Sequence, residues 1–255
     1  MANITTSPSD GSIVRRSANY KPSFWHFDFI QSLGSEYGLE EYTRQANDLK
    51  EETRAMLEKV TGALAQLELI DTLQRLGISV HFEDEIKSIL KGIHNNSSVG
   101  GSWKKNNLYA VSLEFRLLRQ HGYCIHQEVF NSFKDEMENS KARMIDDDQY
   151  YTMGMLNLYE ATFHMVKGET ILEEARDLTT KHLKEYVKNK DEDDALSTLV
   201  THALEIPLHW TVPILEARWF IDFYERSQDK NHTLLKLSKL NFNILQSAYQ
   251  EELKD

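Results

Sequence analysis

The chain has 255 residues, 40% hydrophobic and 10% aromatic, enough to bury a sizeable core in one large domain or two small ones. Lys plus Arg number 29 against 40 Asp plus Glu, a net charge of −11, which argues against nucleic acid or an anionic membrane as partner. A single cysteine, Cys124, excludes an internal disulfide, and no apolar run approaches the roughly eighteen residues of a membrane span.

Met1–Val14 is polar, holds Pro8 and Gly11, and is predicted to be disordered. It carries Asp10, no arginine and no signal-peptide core, so the expected location is cytoplasmic, with the plastid as the alternative if a transit peptide is missing. Arg15 and Arg16 follow, and after eight residues Trp25, inside the aromatic run Phe24–Phe29. Two readings stand side by side: an arm whose Trp25 and Phe27 plug a groove, or a lid whose arginines meet carboxylates or a phosphorylated ligand.

From Glu40 to Ile93 the pattern is helical, with breaks around Gly62 and Gly77. Leu64, Leu67, Ile70, Leu73 and Leu76 line one face; Phe82, Ile86, Ile89, Leu90 and Ile93 line the next helix, with Ser79 as its expected cap and Glu83, Asp84 and Glu85 in its first turn. Joined by so short a turn, the two form an αα-hairpin. A loop is expected over 95–107, a helix over Leu108–Gly122, and another through Met155, Leu158, Tyr159, Thr162, Phe163 and Val166. Thr170 and Glu173 spell a capping box, Tyr186–Asp194 reads as a charged loop, and helices over 196–204, 214–224 and 234–253 complete the chain. A dozen helices without a strand, and without a fixed repeat, point to an all-α fold of the α/α-barrel kind.

These residues resemble the N-terminal domain of plant terpene synthases. Arg15, Arg16 and Trp25 fit that family's R-R-x8-W motif, typical of its monoterpene branch. LELIDTLQRLGISVHFEDEI, LEFRLLRQHGY, GMLNLYEA, GETILEEA, LEARWFIDFYE and FNILQSAYQEEL are similar to family signatures and occur in the family's order. The resemblance implies one domain over residues 15–255, an α/α barrel similar to that of some glycosyl hydrolases. It also implies that Arg15, Arg16 and Trp25 form a lid over a separate C-terminal domain. That domain would bind magnesium (or manganese) through acidic motifs and ionise a prenyl diphosphate, geranyl or farnesyl.

The acids present here do not complete those motifs. Asp146-Asp147-Asp148 is followed by Gln149, Tyr150 and Tyr151, and Asp193-Asp194 with Ser197 is followed by Thr201 where a Glu is required. Asp191–Asp194 spells D-x-D-D, the general-acid motif of the protonating cyclases. In those enzymes it precedes the Phe-Arg-Leu helix, a place held here by Asn107, Leu108, Tyr109 and Ala110. No H-E-x-x-H pair occurs among the ten histidines, and Cys124, Trp103, Trp210 and Trp219 are expected in the core. The chain alone is therefore expected to be inactive, with no catalytic residue and no metal site. The alternative is a non-catalytic helical scaffold that binds a protein partner.

Overall fold

A computed structural model describes residues 25–97, 102–133, 149–190 and 194–254. Among them are ten α-helices and no strand. The helices are α1 (Phe27–Ser32), α2 (Glu40–Lys59), α3 (Ala63–Arg75), α4 (Glu83–Ser97), α5 (Leu108–Gln120), α6 (Gln149–Thr162), α7 (Thr170–Lys188), α8 (Ala195–Glu205), α9 (Pro213–Arg226) and α10 (His232–Glu252). The all-α expectation holds. Met1–Val14, Arg15, Arg16 and the acids at 146–148 and 191–193 lie outside the described residues.

Helices α3 and α4 bury the stripes their spacing defines. Leu67, Ile70 and Leu73 of α3 are fully buried, as are Phe82, Ile86 and Leu90 around α4. Between them the chain turns at Gly77, whose φ is +70°. Ile78 N–H donates to the Leu73 carbonyl and Gly77 N–H to that of Gln74, the two bonds of a Schellman stop. A Cβ on Gly77 would stand 2.7 Å from Ala217 Cβ, so the missing side chain also lets α9 approach this turn.

α10 packs on α2 and α9, α9 on α3, α3 on α5, α5 on α6, and α6 on α7 and α8, the succession of an α/α barrel. Helix α5 is the shared wall. Leu113, Leu117 and Leu118 face one apolar cluster, with Leu67, Ile70, Phe82, Phe220 and Leu237. Leu108, Val111 and Phe115 face the other, with Phe130, Met155, Leu158, Leu172 and Val200. Being walled on both sides, α5 has no solvated face: residues Ala110 through Leu118 are all buried, Glu114 and Arg116 among them.

Several local expectations are corrected. Ser79 opens a 3₁₀ turn, Ser79–Phe82, rather than capping α4. The Thr170–Glu173 box does not form: Glu169 is the N-cap of α7 and no side chain caps it. The loop expected over 95–107 is shorter, because α4 runs to Ser97 and a 3₁₀ turn occupies Ser102–Lys104. Likewise α7 extends to Lys188, into the expected charged loop. Cys124 is exposed, just past the turn that ends α5. Trp210 is 67% exposed and meets Phe163 edge-on, 5.1 Å between ring centres. Trp25 and Phe27 plug no groove: they are 54% and 73% exposed, and α1 buries no residue.

Candidate functional site

Charged residues from four of the quoted signatures meet inside the barrel. LELIDTLQRLG places Asp71 and Arg75 one turn apart on α3, with Arg75 Nε donating to Asp71 Oδ2 at 3.1 Å. LEFRLLRQHGY supplies Arg116, whose side chain is 1% exposed and whose Nη2 donates to Asp71 Oδ1 at 2.5 Å. GMLNLYEA supplies Glu160, which accepts from Arg75 Nη2 at 2.6 Å and lies 3.7 Å from Arg116 Nε. LEARWFIDFYE supplies Glu216, 3.4 Å from Arg75 Nη1 and 2.8 Å from His202 Nε2 on α8. The His202 ring lies flat on Trp219, with centroids 3.5 Å apart and planes 3° apart. Three carboxylates, two guanidiniums and one imidazole thus tie α3, α5, α6, α8 and α9 together across the boundary between the two apolar clusters.

A second tie sits at one end of α5. Arg119 grips the Glu169 carboxylate with both terminal nitrogens, at 2.6 and 2.5 Å, and also donates to the Ile125 and His164 carbonyls. Glu169 Oε2 in turn accepts from Val166 N–H at 2.9 Å, which fixes the α6–α7 turn. This is where the carboxylate next to the supposed capping box is used.

The interior network borders a cavity of about 150 Å³. Asp71, Arg75, Tyr109, Asn157, Glu160, His202 and Glu216 form its polar wall, and Leu156, Leu199, Phe220 and Phe223 are among its apolar residues. Burial would raise the Asp71 carboxyl, but the neighbouring Arg116 and Arg75 outweigh it and hold the group below the usual range. Burial would lower Arg75, but Asp71, Glu160 and Glu216 hold it firmly charged. Burial pushes the Tyr109 hydroxyl up, with Glu68 and Asp71 adding to the effect. A general acid needs its carboxyl kept protonated, and here Asp71 is driven the opposite way. The cavity wall is a tie of carboxylates held by guanidiniums.

Nor do these carboxylates suit magnesium. Among the described residues no group of three or more His, Cys, Asp or Glu side chains is placed to hold a metal ion. Asp71, Glu160 and Glu216 are already taken by guanidinium groups. Asp194, part of the tempting Asp193-Asp194 pair, caps α8 by accepting from Ser197 N–H at 2.7 Å. Asn107 does the same for α5, accepting from Ala110 N–H at 3.0 Å.

Of the three residues expected to form a lid, only Trp25 is described. It stacks on Phe29, centroids 5.3 Å apart, at the start of α1. From the same helix Gln31 Nε2 donates to the Lys254 carbonyl at 3.0 Å, across 223 positions of sequence. Helix α1 is therefore held beside the end of the last helix. The buried charge network was not anticipated. Its signal was present in α5, where Glu114 and Arg116 interrupt a stretch too apolar to have a wet side.

Among the described residues no helix is long and apolar enough to cross a membrane. Residues 24–204 match the family model "Terpene synthase, N-terminal domain". The chloroplastic myrcene synthase of Quercus ilex is 58% identical over 251 residues, covering 98% of this chain and 41% of that protein. The crystal structure of limonene synthase with 2-fluorolinalyl diphosphate superposes with a TM-score of 0.84 at 43% identity, over 94% of this chain and 44% of that one. Isoprene synthase from grey poplar, in complex with three Mg2+ ions and dimethylallyl-S-thiolodiphosphate, gives 0.71 at 35% identity, over 89% and 41%. The chain thus spans about two-fifths of the length of these relatives. It belongs to the terpene synthase family, whose N-terminal domain it carries.

Proposed function

We propose that this chain is the structural and capping half of a monoterpene synthase, a magnesium-dependent lyase of isoprenoid biosynthesis acting on a prenyl diphosphate such as geranyl diphosphate. The chemistry belongs to a C-terminal helical domain, and no step is assigned to the barrel. Its own residues do two things. Asp71, Arg75, Arg116, Glu160, Glu216 and His202 lock five helices into a rigid platform. Arg15, Arg16 and Trp25 belong to an arm that closes over the neighbouring domain, the guanidiniums meeting the diphosphate side and the indole pinning the arm. Excluding water from a carbocation is the use of such a lid.

The observation that carries this reading is the bond from Gln31 to the Lys254 carbonyl, which starts the arm beside the place where a following domain would begin. The exposure of Trp25 supports it too, since this indole is presented outward. The plastid is the proposed compartment, in keeping with the chloroplastic name of the Quercus ilex relative. The test is a joined protein, this chain followed by the remainder of that myrcene synthase, with and without Arg15→Ala and Arg16→Ala. The substituted protein should turn over geranyl diphosphate more slowly and release a larger share of water-quenched alcohol. Unchanged rate and product profile would remove the lid from the account.

A further inference from the structure

Two buried acceptors on α6 have no donor among the described residues. Arg75 Nη2 and Arg116 Nε both approach Oε2 of Glu160, at 2.6 and 3.7 Å, and no hydrogen bond reaches Oε1. Asn157, one turn earlier, gives its amide nitrogen to the Met153 carbonyl at 3.0 Å. A carbonyl only accepts, so that bond fixes the orientation of the amide and leaves Oδ1 without a donor. Glu160 is 3% exposed and Asn157 6%, and both line the cavity of about 150 Å³. A buried acceptor left unpaired costs more than most hydrogen bonds return, so two on one helix face call for a ligand.

We propose that this cavity binds a short primary alkylammonium, its –NH3+ group donating to Glu160 Oε1 and Asn157 Oδ1 and its alkyl tail lying along the aromatic side. Both free atoms are acceptors, so the ligand must bring donors, and an ammonium carries three with no acceptor. Carboxylates outnumber guanidiniums here, Asp71, Glu160 and Glu216 against Arg75 and Arg116, and His202 Nε2 is engaged by Glu216 rather than Glu160. That surplus of acid favours a cation over a neutral donor. The apolar part of the lining holds Phe223, backed by Trp219 at 5.4 Å between ring centres, with Phe220, Leu199 and Leu156. Ile206, 52% exposed at the end of α8, carries this lining out to solvent and gives the tail an apolar exit. A protein cavity of about 150 Å³ takes a benzene-sized molecule, which limits the tail to roughly four to six carbons. Water satisfies the two acceptors but leaves the rings wetted, whereas an alkyl tail covers them. The site stands apart from the lyase reaction and does not rest on the two-domain reading.

The test is calorimetric titration of the 255-residue chain with ethyl-, propyl-, butyl- and pentylammonium chloride, at constant chloride and at about pH 7.5, where the amines are protonated. Pentylammonium should bind once per chain with a dissociation constant below about 1 mM, the scale for a ligand of roughly six heavy atoms. Each methylene removed should weaken binding about fourfold, a dependence that ion pairing at the acidic surface does not produce. 1-Pentanol, with the same tail and no charge, should bind at least about tenfold more weakly. Asn157→Leu removes one acceptor and should weaken pentylammonium about tenfold. Ala203→Phe fills the cavity, which Ala203 lines while 4% exposed, and should abolish the heat. Circular dichroism checks that both variants keep their helix content; if neither folds, tail length and the alcohol comparison decide in the parent chain. No saturable heat up to about 10 mM overturns the proposal and leaves the cavity to water. Pentanol matching pentylammonium also overturns it, reducing the site to an apolar hole. So does binding that both folded variants retain, which places the amine elsewhere on the chain.

Discussion

Replacing Arg75 by Met tests the buried tie directly. Arg75 meets Glu160 at 2.6 Å, Asp71 at 3.1 Å and Glu216 at 3.4 Å, with its own side chain only 11% exposed. At an effective dielectric near 20, a unit pair about 4 Å apart is worth about 4 kcal/mol, so the gross attraction of three contacts is on the order of 10 kcal/mol. Much of that is offset by the cost of taking the guanidinium out of water. Removing the cation leaves Arg116 as the one guanidinium beside three carboxylates, and breaking a buried pair in this way costs about 3–5 kcal/mol. For a chain of this size that corresponds to a melting point lower by roughly 10 °C.

The deficit of the Met variant should also depend on pH. In the parent, the depressed Asp71 pKa contributes stability that is present above its unfolded value and lost only as pH falls through the folded one. The parent therefore keeps that contribution from pH 7.5 down to 5. In the variant, carboxylates deprived of their cation have raised pKa values, and the matching stability is lost as pH rises. Urea unfolding followed by circular dichroism should show a larger deficit at pH 7.5 than at pH 5. Replacing Glu160 by Leu in the same protein should recover part of the loss, a coupling that a double-mutant cycle measures. A deficit below about 1 kcal/mol at pH 7.5, well short of the range for a broken buried pair, or one that does not change with pH, would refute the argument.

Three further outcomes follow from the same geometry. Arg119→Lys keeps the charge but loses the two-pronged grip on Glu169, and should cost about 2 kcal/mol with faster amide exchange over 163–169. Burial, followed by the charges of His209, Arg116 and Arg119, pushes His164 down to about 4, so its contribution is complete above its ordinary 6.5 and is lost as pH falls through 6.5 toward 4. His164→Gln should flatten the stability curve in that window, read as urea midpoints at successive pH values. Gly77→Ala must hold a positive φ with its Cβ 2.7 Å from Ala217, and should destabilise by about 1–3 kcal/mol, measured by thermal melting.

The apolar periodicity of α3, α4, α9 and α10 made the helices legible, because each buries one stripe and solvates the other side. Caps were less legible. The Thr170–Glu173 pattern has the spacing of a box, yet Glu169 already satisfies the turn through Arg119 and Val166. Spacing cannot reveal a partner 50 residues away. The same limit hid the interior network. Asp71 and Arg75 look like an ordinary surface pair at i, i+4, and only the approach of α5, α6 and α9 turns that side of α3 into an interior. Trp210 failed in the other direction: an indole is usually buried, but here it sits on a short turn between Pro207 and Pro213 with one ring, Phe163, to lean on.

The account holds that these helices frame and cap a reaction carried out by another domain. The most direct measurement incubates the purified 255-residue chain with geranyl diphosphate and magnesium, beside the joined protein, and analyses volatile products by gas chromatography. The prediction is terpene from the joined protein and none from the chain alone. Magnesium-dependent terpene formed by the 255 residues themselves would contradict it.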